Sequence, residues 1–412
     1  MFEWSTVTVE SCLERLNFGK TPKVLTRDYK SSGSYPVIDQ GQKLIAGWTD
    51  DDRGLISSNL PVVIFGDHTR AFKYVDFPFI RGADGTQLLK PKAGIEPLFF
   101  YYACRAVDLP SRGYNRHFKA LKEKEIPMPP PGEQRNIARI LQQIDDALSL
   151  QDEQLQAITN LKRATTRTLF TRGLRGEAQK ETEIGPVPES WKVSTLGEAA
   201  QLERGRFMHR PRNESRFYGG ATPFVQTGDV VRSGGRIREF VQTLNEDGVA
   251  ISRVFPAGTI LITIAANIGF TGILQFDSAC PDSLVAITPN QSLKVEFLEY
   301  FLQTQQGEMD KLAPKGTQKN INIQFLTPWP VVVPPDEDEQ REIVAILDAI
   351  DRKIDLHRKK RAVLDDLFKV LLHKLMTGEV RVRELNWERL ADLAGKVLIV
   401  QPEEASSTRE QG

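Results

Sequence analysis

The chain has 412 residues, 40% of them apolar and 26% charged, with 54 basic and 54 acidic side chains. That length supports two or three domains with cores of their own, and the wide separation of Cys12, Cys104 and Cys280 excludes a disulfide framework or a zinc site and suits a reducing cytoplasm. The opening MFEWSTVTVE has neither the basic nor the apolar region of a signal peptide, and the longest apolar run, 259–266, is too short to cross a bilayer, so a cytoplasmic chain without a membrane partner is expected.

From the N-terminus, residues 1–128 read as a globular domain, mixed α/β or mostly β, with a strand-like run at 62–65 and turn signals such as Ala83-Asp84-Gly85. Gly66-Asp67-His68-Thr69-Arg70 follows that strand and reads best as a structural turn. Near the end of the domain, residues 111–119 carry Arg112, Gly113, Asn115, Arg116, His117 and Lys119 and no acid. Cations of this kind suit phosphates or guanine, and Asn can pair bidentately with adenine, which makes these residues candidates for DNA binding; a solvated basic loop is the alternative.

Pro129-Pro130-Pro131 then stops the domain, and a long helix is expected over 129–172, with Glu133 at the positive end of its dipole. Its seam keeps a four-three spacing: Ile137, Leu141, Ile144, Leu148, Gln151, Leu155, Ile158, Lys162, Thr165 and Leu169. A linker, 173–190, leads to a second domain, 191–333. There Arg204, Arg206, Arg210 and Arg212, interleaved with Gly205 and Phe207, form a second basic candidate, with a mobile basic loop as the alternative. Strand-like runs follow at 258–264 and 284–287. Lys315, Gly316, Gln318, Lys319, Asn320 and Asn322 repeat the basic Gly-Asn/Gln pattern of the first domain. A second helix is expected over 334–377, with the seam Ile343, Leu347, Ile350, Ile354, His357, Arg361, Leu364, Phe368, Leu371 and Leu375. Within it, His357-Arg358-Lys359-Lys360-Arg361 reads as a solvated face. The tail, 378–412, carries no usable signal, and its end, around 403–407, is expected to be disordered.

The chain is written twice. Trp4 answers to Trp191 at an offset of 187, the 62–64 run to 260–262 at 198, Gly113 to Gly316 at 203, and Glu133-Gln134-Arg135 to Glu339-Gln340-Arg341 at 206. The offset only grows, by loop-sized steps, as in a duplicated unit of about 200 residues. Two such units pack most simply about a pseudo-twofold axis, so the helices are expected to form an antiparallel coiled coil in which Gln151 and His357 hold equivalent seam positions. The expected fold is α+β: two pseudo-repeated globular domains, candidate DNA target recognition domains from their basic segments, joined by two long helices. A helix of that length is ~60 Å long, or ~18 base pairs of B-DNA. This suits a caliper for two half-sites of different sequence.

Catalytic motifs are missing. The sequence has no phosphate-binding Gly-x-x-x-x-Gly-Lys loop, no nucleophile elbow and no His-Glu-x-x-His. Its five histidines are scattered, and Pro281-Asp282 lacks the acid-x-Lys of a nuclease. No catalytic residue, bound metal or cofactor is expected.

Pro130-Pro131-Gly132-Glu133-Gln134-Arg135 followed by Ile137-Ala138-Arg139-Ile140-Leu141, and Pro334-Pro335 leading to Glu339-Gln340-Arg341 and Ile343-Val344-Ala345-Ile346-Leu347, resemble the specificity subunit of type I restriction-modification enzymes. The junction 184–191, Ile-Gly-Pro-Val-Pro-Glu-Ser-Trp, is similar to that family's entry into its second recognition domain. The resemblance covers residues 1 to about 380. It implies a non-catalytic subunit that reads a two-part asymmetric target in double-stranded DNA and assembles with two methylation subunits and, for cleavage, restriction subunits. Those partners would bring S-adenosylmethionine, ATP and magnesium. Pro130, Pro131, Glu133, Gln134, Arg135, Pro334, Pro335, Glu339, Gln340 and Arg341 become candidate subunit-interface residues. Two rivals stay open: a specificity subunit serving a solitary methyltransferase or a fused nuclease-methylase, and a coiled-coil scaffold with protein-binding ends, which the zero net charge favours slightly.

Overall fold

The computed structural model describes residues 4–15, 22–82, 85–110, 113, 116–209, 214–314 and 319–385. It divides into two compact units that cut across the domain boundaries read from the sequence. One unit is Met1–Gln154 with His357–Gly412, and the other is Leu155–Leu356. Each unit therefore holds one globular domain and half of each long helix.

In the first unit, Val62–Gly66 is the centre of a three-stranded antiparallel sheet between Phe72–Val75 and Thr86–Leu89. A four-stranded sheet runs in the order Gly47–Thr49, Tyr35–Ile38, Phe79–Arg81, Leu55–Ile56. In the second unit one of the corresponding sheets is larger and the other again has four strands. Five strands run in the order Ala200–Arg204, Leu284–Pro289, Ile260–Thr263, Thr271–Leu274, Gly235–Ile237, and four in the order Gln242–Leu244, Tyr218–Phe224, Ser278–Ala279, Val254–Phe255.

The repeat read from the sequence survives as hydrogen-bond register. Ser5 pairs with Met128 in the ribbon that closes the first domain, and Lys192 with Val333 in its counterpart. The paired residues are offset by 187 and 205, the spacings of the repeat at those points in the chain. The domains are mixed, with helices Pro97–Ala106 and Val295–Leu312 packed on the sheets.

The long helices span Pro131–Arg172 and Glu337–Thr377. Every seam position named above is buried or half-buried. Within the first unit the helices run antiparallel: His357 Nδ1–H donates to Gln151 Oε1 at 2.8 Å, and Arg361 pairs with Asp152 at 2.8 Å. Within the second, Lys162 pairs with Asp351 at 2.7 Å. Polar Gln151 and His357 thus satisfy one another in the seam.

Each domain is fastened to its helices by repeated contacts. Gln134 Oε1 accepts the backbone N–H of Glu96, the N-cap of the first packed helix, while its amide donates to Pro129 O. Gln340 does the same to the N-cap Lys294, donating to Pro334 O and Ser292 O. Tyr102 donates to Asp145 at 3.4 Å. Its repeat partner Tyr300 shares its proton between Asp348 and Asp351, at 2.7 and 2.8 Å. The second domain adds a buried ion pair at this joint. Glu299, fully buried, meets Arg236 at 3.1 Å, and Arg236 continues to Asp348. Tyr101 occupies the position in the first domain that Glu299 fills in the second.

The start of the tail belongs to the fold. Gly378, at φ +72°, lies against the Trp4 ring; Arg381 stacks on that ring and donates to Glu133 at 3.0 Å. In the second unit Gly173, at φ +59°, lies against Trp191, whose indole N–H donates to Glu339. Both long helices end on a left-handed glycine, where a side chain would be strained.

Candidate nucleic-acid interface

Three segments meet at one end of each domain. In the first, buried Asp67 at the tip of the hairpin between Val62–Gly66 and Phe72–Val75 accepts the backbone N–H groups of His117 and Phe118 at 2.8 and 2.7 Å. It thereby caps the short helix Phe118–Lys122 and fixes the end of the basic segment. Gln40 Oε1 accepts the N–H of His68, and Gln40 O accepts the Thr69 hydroxyl, so the 39–44 loop joins the same cluster. Beneath it, buried Lys73 donates to Asp39 O; burial lowers the pKa of its ammonium, and Asp39 opposes that shift. The 66–70 segment is a turn, as its sequence suggests, and Asp67 makes it an anchor as well.

The second domain repeats the plan. Ile321 N–H donates to Ile264 O, Asn320 bridges to Ala265, and Ile264 N–H donates to Ser283 O. Arg204 pairs across to Val285 beside the Thr263–Leu284 pair, so the 204–209 segment, the hairpin tip 264–270 and the end of the 315–322 segment share one end of the five-stranded sheet.

Several candidate residues take other roles. His117 is buried, with Nδ1 3.0 Å from Asp67 O, and presents no cation to solvent. Asn322 is the N-cap of Ile323–Leu326 and accepts the Phe325 N–H at 2.9 Å, so its carbonyl is spent on a helix start. Phe207 packs in a core with Phe217 and Phe224, and a Cβ at Gly205 would stand 2.3 Å from Pro281 O. The glycine and aromatic of that basic segment therefore serve packing. Arg204 donates to Asp282 O and Arg206 to Ser252 O. Lys319 pairs with Asp310 at 2.8 Å, Asn320 is exposed, and Arg116 and Lys119 are exposed. Gly113 has φ +70°, and no atom of a described residue lies within 4 Å of where its Cβ would stand. Arg112, Asn115, Arg210, Arg212, Lys315, Gly316 and Gln318 lie outside the described residues.

The candidate subunit-interface residues divide in two. Gln134, Gln340, Glu339 and Pro334 are buried, and Glu133 is held by Arg381. Glu339 accepts from Leu174 N–H at 2.7 Å and Trp191 Nε1–H at 3.1 Å. These five are internal fasteners, and their repetition reflects the joint between domain and helix. Pro130, Pro131, Arg135, Pro335 and Arg341 remain exposed, with Arg341 paired to Glu337 and Asp338 on its own helix. The sequence reading missed Asp67, Gln40 and the tail contacts. The Thr-Arg-Gly173 and Met-Thr-Gly378 endings are the signal that could have found the last.

Two copies of one domain, each with segments gathered at one end of a sheet and fastened to the long helices, define a duplicated module. Residues 1–160 and 188–366 match the family model described as the type I restriction modification DNA specificity domain, once over each copy, and the chain belongs to that family. It is 29% identical over 289 residues to the putative type I restriction enzyme MjaX specificity subunit of Methanocaldococcus jannaschii, covering 69% of this chain and 65% of that protein. To the EcoR124I/EcoR124II specificity subunit of Escherichia coli it is 25% identical over 377 residues, covering 84% and 89%. The chain spans about two thirds, 65%, of the length of the two archaeal relatives MjaX and MjaVIII. Among solved structures, the type I restriction-modification S subunit from M. genitalium shares the fold at a TM-score of 0.62 and 18% identity, over 91% of this chain and 96% of that one. Among the described residues no helix is long and apolar enough to cross a membrane, and no group of three or more His, Cys, Asp or Glu side chains is placed to hold a metal ion.

Proposed function

We propose that this chain is the non-catalytic DNA-reading subunit of a type I restriction-modification complex, each domain reading one half of a split, asymmetric target. The observation that carries this is the family match over both copies of a repeat whose framework is kept in register while its loops differ. Base-edge contacts specify sequence and phosphate contacts position the protein, and exposed Arg116, Lys119 and Asn320 stand at the loop-bearing ends. Two methylation subunits are the partners, with restriction subunits added for cleavage. Leu150 and Leu356, 206 apart and so equivalent in the repeat, are both exposed on the long helices, at 39% and 65%. A like apolar contact at two equivalent positions suits two copies of one partner. S-adenosylmethionine, ATP and magnesium belong to those partners in this reading.

Exchanging residues 1–125 for the corresponding segment of a related chain tests it. Methylation mapping of the host genome should show one half of the target replaced and the other retained. Replacement of both halves, or methylation independent of this chain, would refute it.

A further inference from the structure

We infer that the tip of the hairpin between Ile260–Thr263 and Thr271–Leu274 is a base-reading element of the second domain, with Asn267 as the side chain that reads. This rests on the DNA-reading role proposed above and names a residue for it outside the basic segments.

The tip is held firmly at its base. Ile268 is buried, its carbonyl accepts the Gln306 amide at 2.9 Å, and a Cβ at Gly269 would sit 3.3 Å from the backbone of the packed helix Val295–Leu312. On the other side, Ile264 is fastened to Ser283 and Ile321. Between these anchors only Ala266 and Asn267 are exposed. Asn267 turns back through its backbone N–H to Ala265 O at 2.8 Å, and its amide makes no side-chain hydrogen bond to any described residue. Unlike Asn322, it is not spent on a helix cap.

The backbone carries a second mark. Among the described residues three non-glycines have positive φ, and two of them lie at the corresponding hairpin tips: Arg70 at +61° in the first domain and Ala266 at +63° in the second. Such conformations persist only where surrounding structure over-determines them, and they gather at binding sites. Here the strain turns out one polar side chain at the end of the sheet where Asn320, Lys319 and Arg204 also lie. A two-residue tip on a rigid ribbon fits the ≈ 12 Å major groove. A free carboxamide there offers the donor and acceptor that pair with adenine N7 and N6.

The experiment uses the full chain assembled with its methylation subunits, comparing wild type with Asn267→Ala and Asn267→Asp. Asp matches Asn in size at this exposed position but cannot donate to N7. Both variants should relax one base pair of one half-site, reducing discrimination there by roughly ten- to a hundredfold, and leave the other half unchanged. Melting temperature reports folding; if Ala lowers it, the Asp variant decides. An unchanged target in both variants, uniform weakening on all sequences, or a change in both half-sites would overturn the assignment. A wild-type complex that methylates no discrete sequence would instead refute the DNA-reading role itself.

Discussion

The side-chain carbonyl of Gln340 accepts the backbone N–H of Lys294 at 2.9 Å, forty-six residues away, and so caps a helix that its own N-cap side chain does not. Gln134 and Glu96 repeat the contact at 2.9 Å. Removing either amide leaves buried donors and acceptors unpaired, so Gln134→Ala and Gln340→Ala should each cost about 1–3 kcal/mol in urea unfolding. Exposed Arg135, next in the same motif, should change stability by less than about 0.5 kcal/mol on replacement by Ala. Equal effects from Gln134→Ala and Arg135→Ala would contradict the fastening role.

Glu339 should be coupled to Trp191. Its carboxylate receives the indole N–H in the interior, and losing either partner strands the other. A double-mutant cycle of Glu339→Gln and Trp191→Phe should give an interaction energy of about 0.5–3 kcal/mol. Additive effects would show that the two act independently.

The tail makes a third case. Residues 378–385 bring Arg381 onto Trp4 and Glu133 and bury Val382. A chain ending at Thr377 should therefore be less stable than one ending at Leu385, by about 2–4 kcal/mol from apolar burial and cation–π contact together. Thermal melting of the two truncations checks this, and matching transitions would sink it.

Glu299 supplies a pH dependence. Burial raises its carboxyl pKa above the ordinary 4.5, with Arg236 opposing. A carboxyl whose folded pKa exceeds its unfolded one favours folding fully below the unfolded value, and that contribution is lost as pH climbs through the folded value. Glu299→Gln removes the titration. The melting temperature of the variant, measured against wild type, should therefore gain as pH rises from about 4.5. A difference that stays flat with pH would contradict it.

Periodicity and duplication were legible in one dimension because they are regular. The seam from Ile137 to Leu375 and the strand at 260–263 needed only spacing and residue type. Non-local partnership was not. His117 reads as a cation because Asp67, which buries it, lies fifty residues earlier. Asn322 and Asn267 are the same residue type in similar polar surroundings, and only the backbone reveals that one caps a helix while the other stands free. The doubled Glu-Gln-Arg motif reads as a candidate subunit interface, but a residue can also repeat because it holds the fold together from inside. Gln134 and Gln340 are constrained from inside.

The glutamine joint is also blind to the residues it holds. It binds main-chain N–H groups, and the residues supplying them are Glu96 in one copy and Lys294 in the other, of opposite charge. A domain need only bring a helix start to that spot for the amide to bind it, whatever side chain the capping residue carries. At this joint, therefore, a domain of different sequence is held without a compensating change in Gln134 or Gln340.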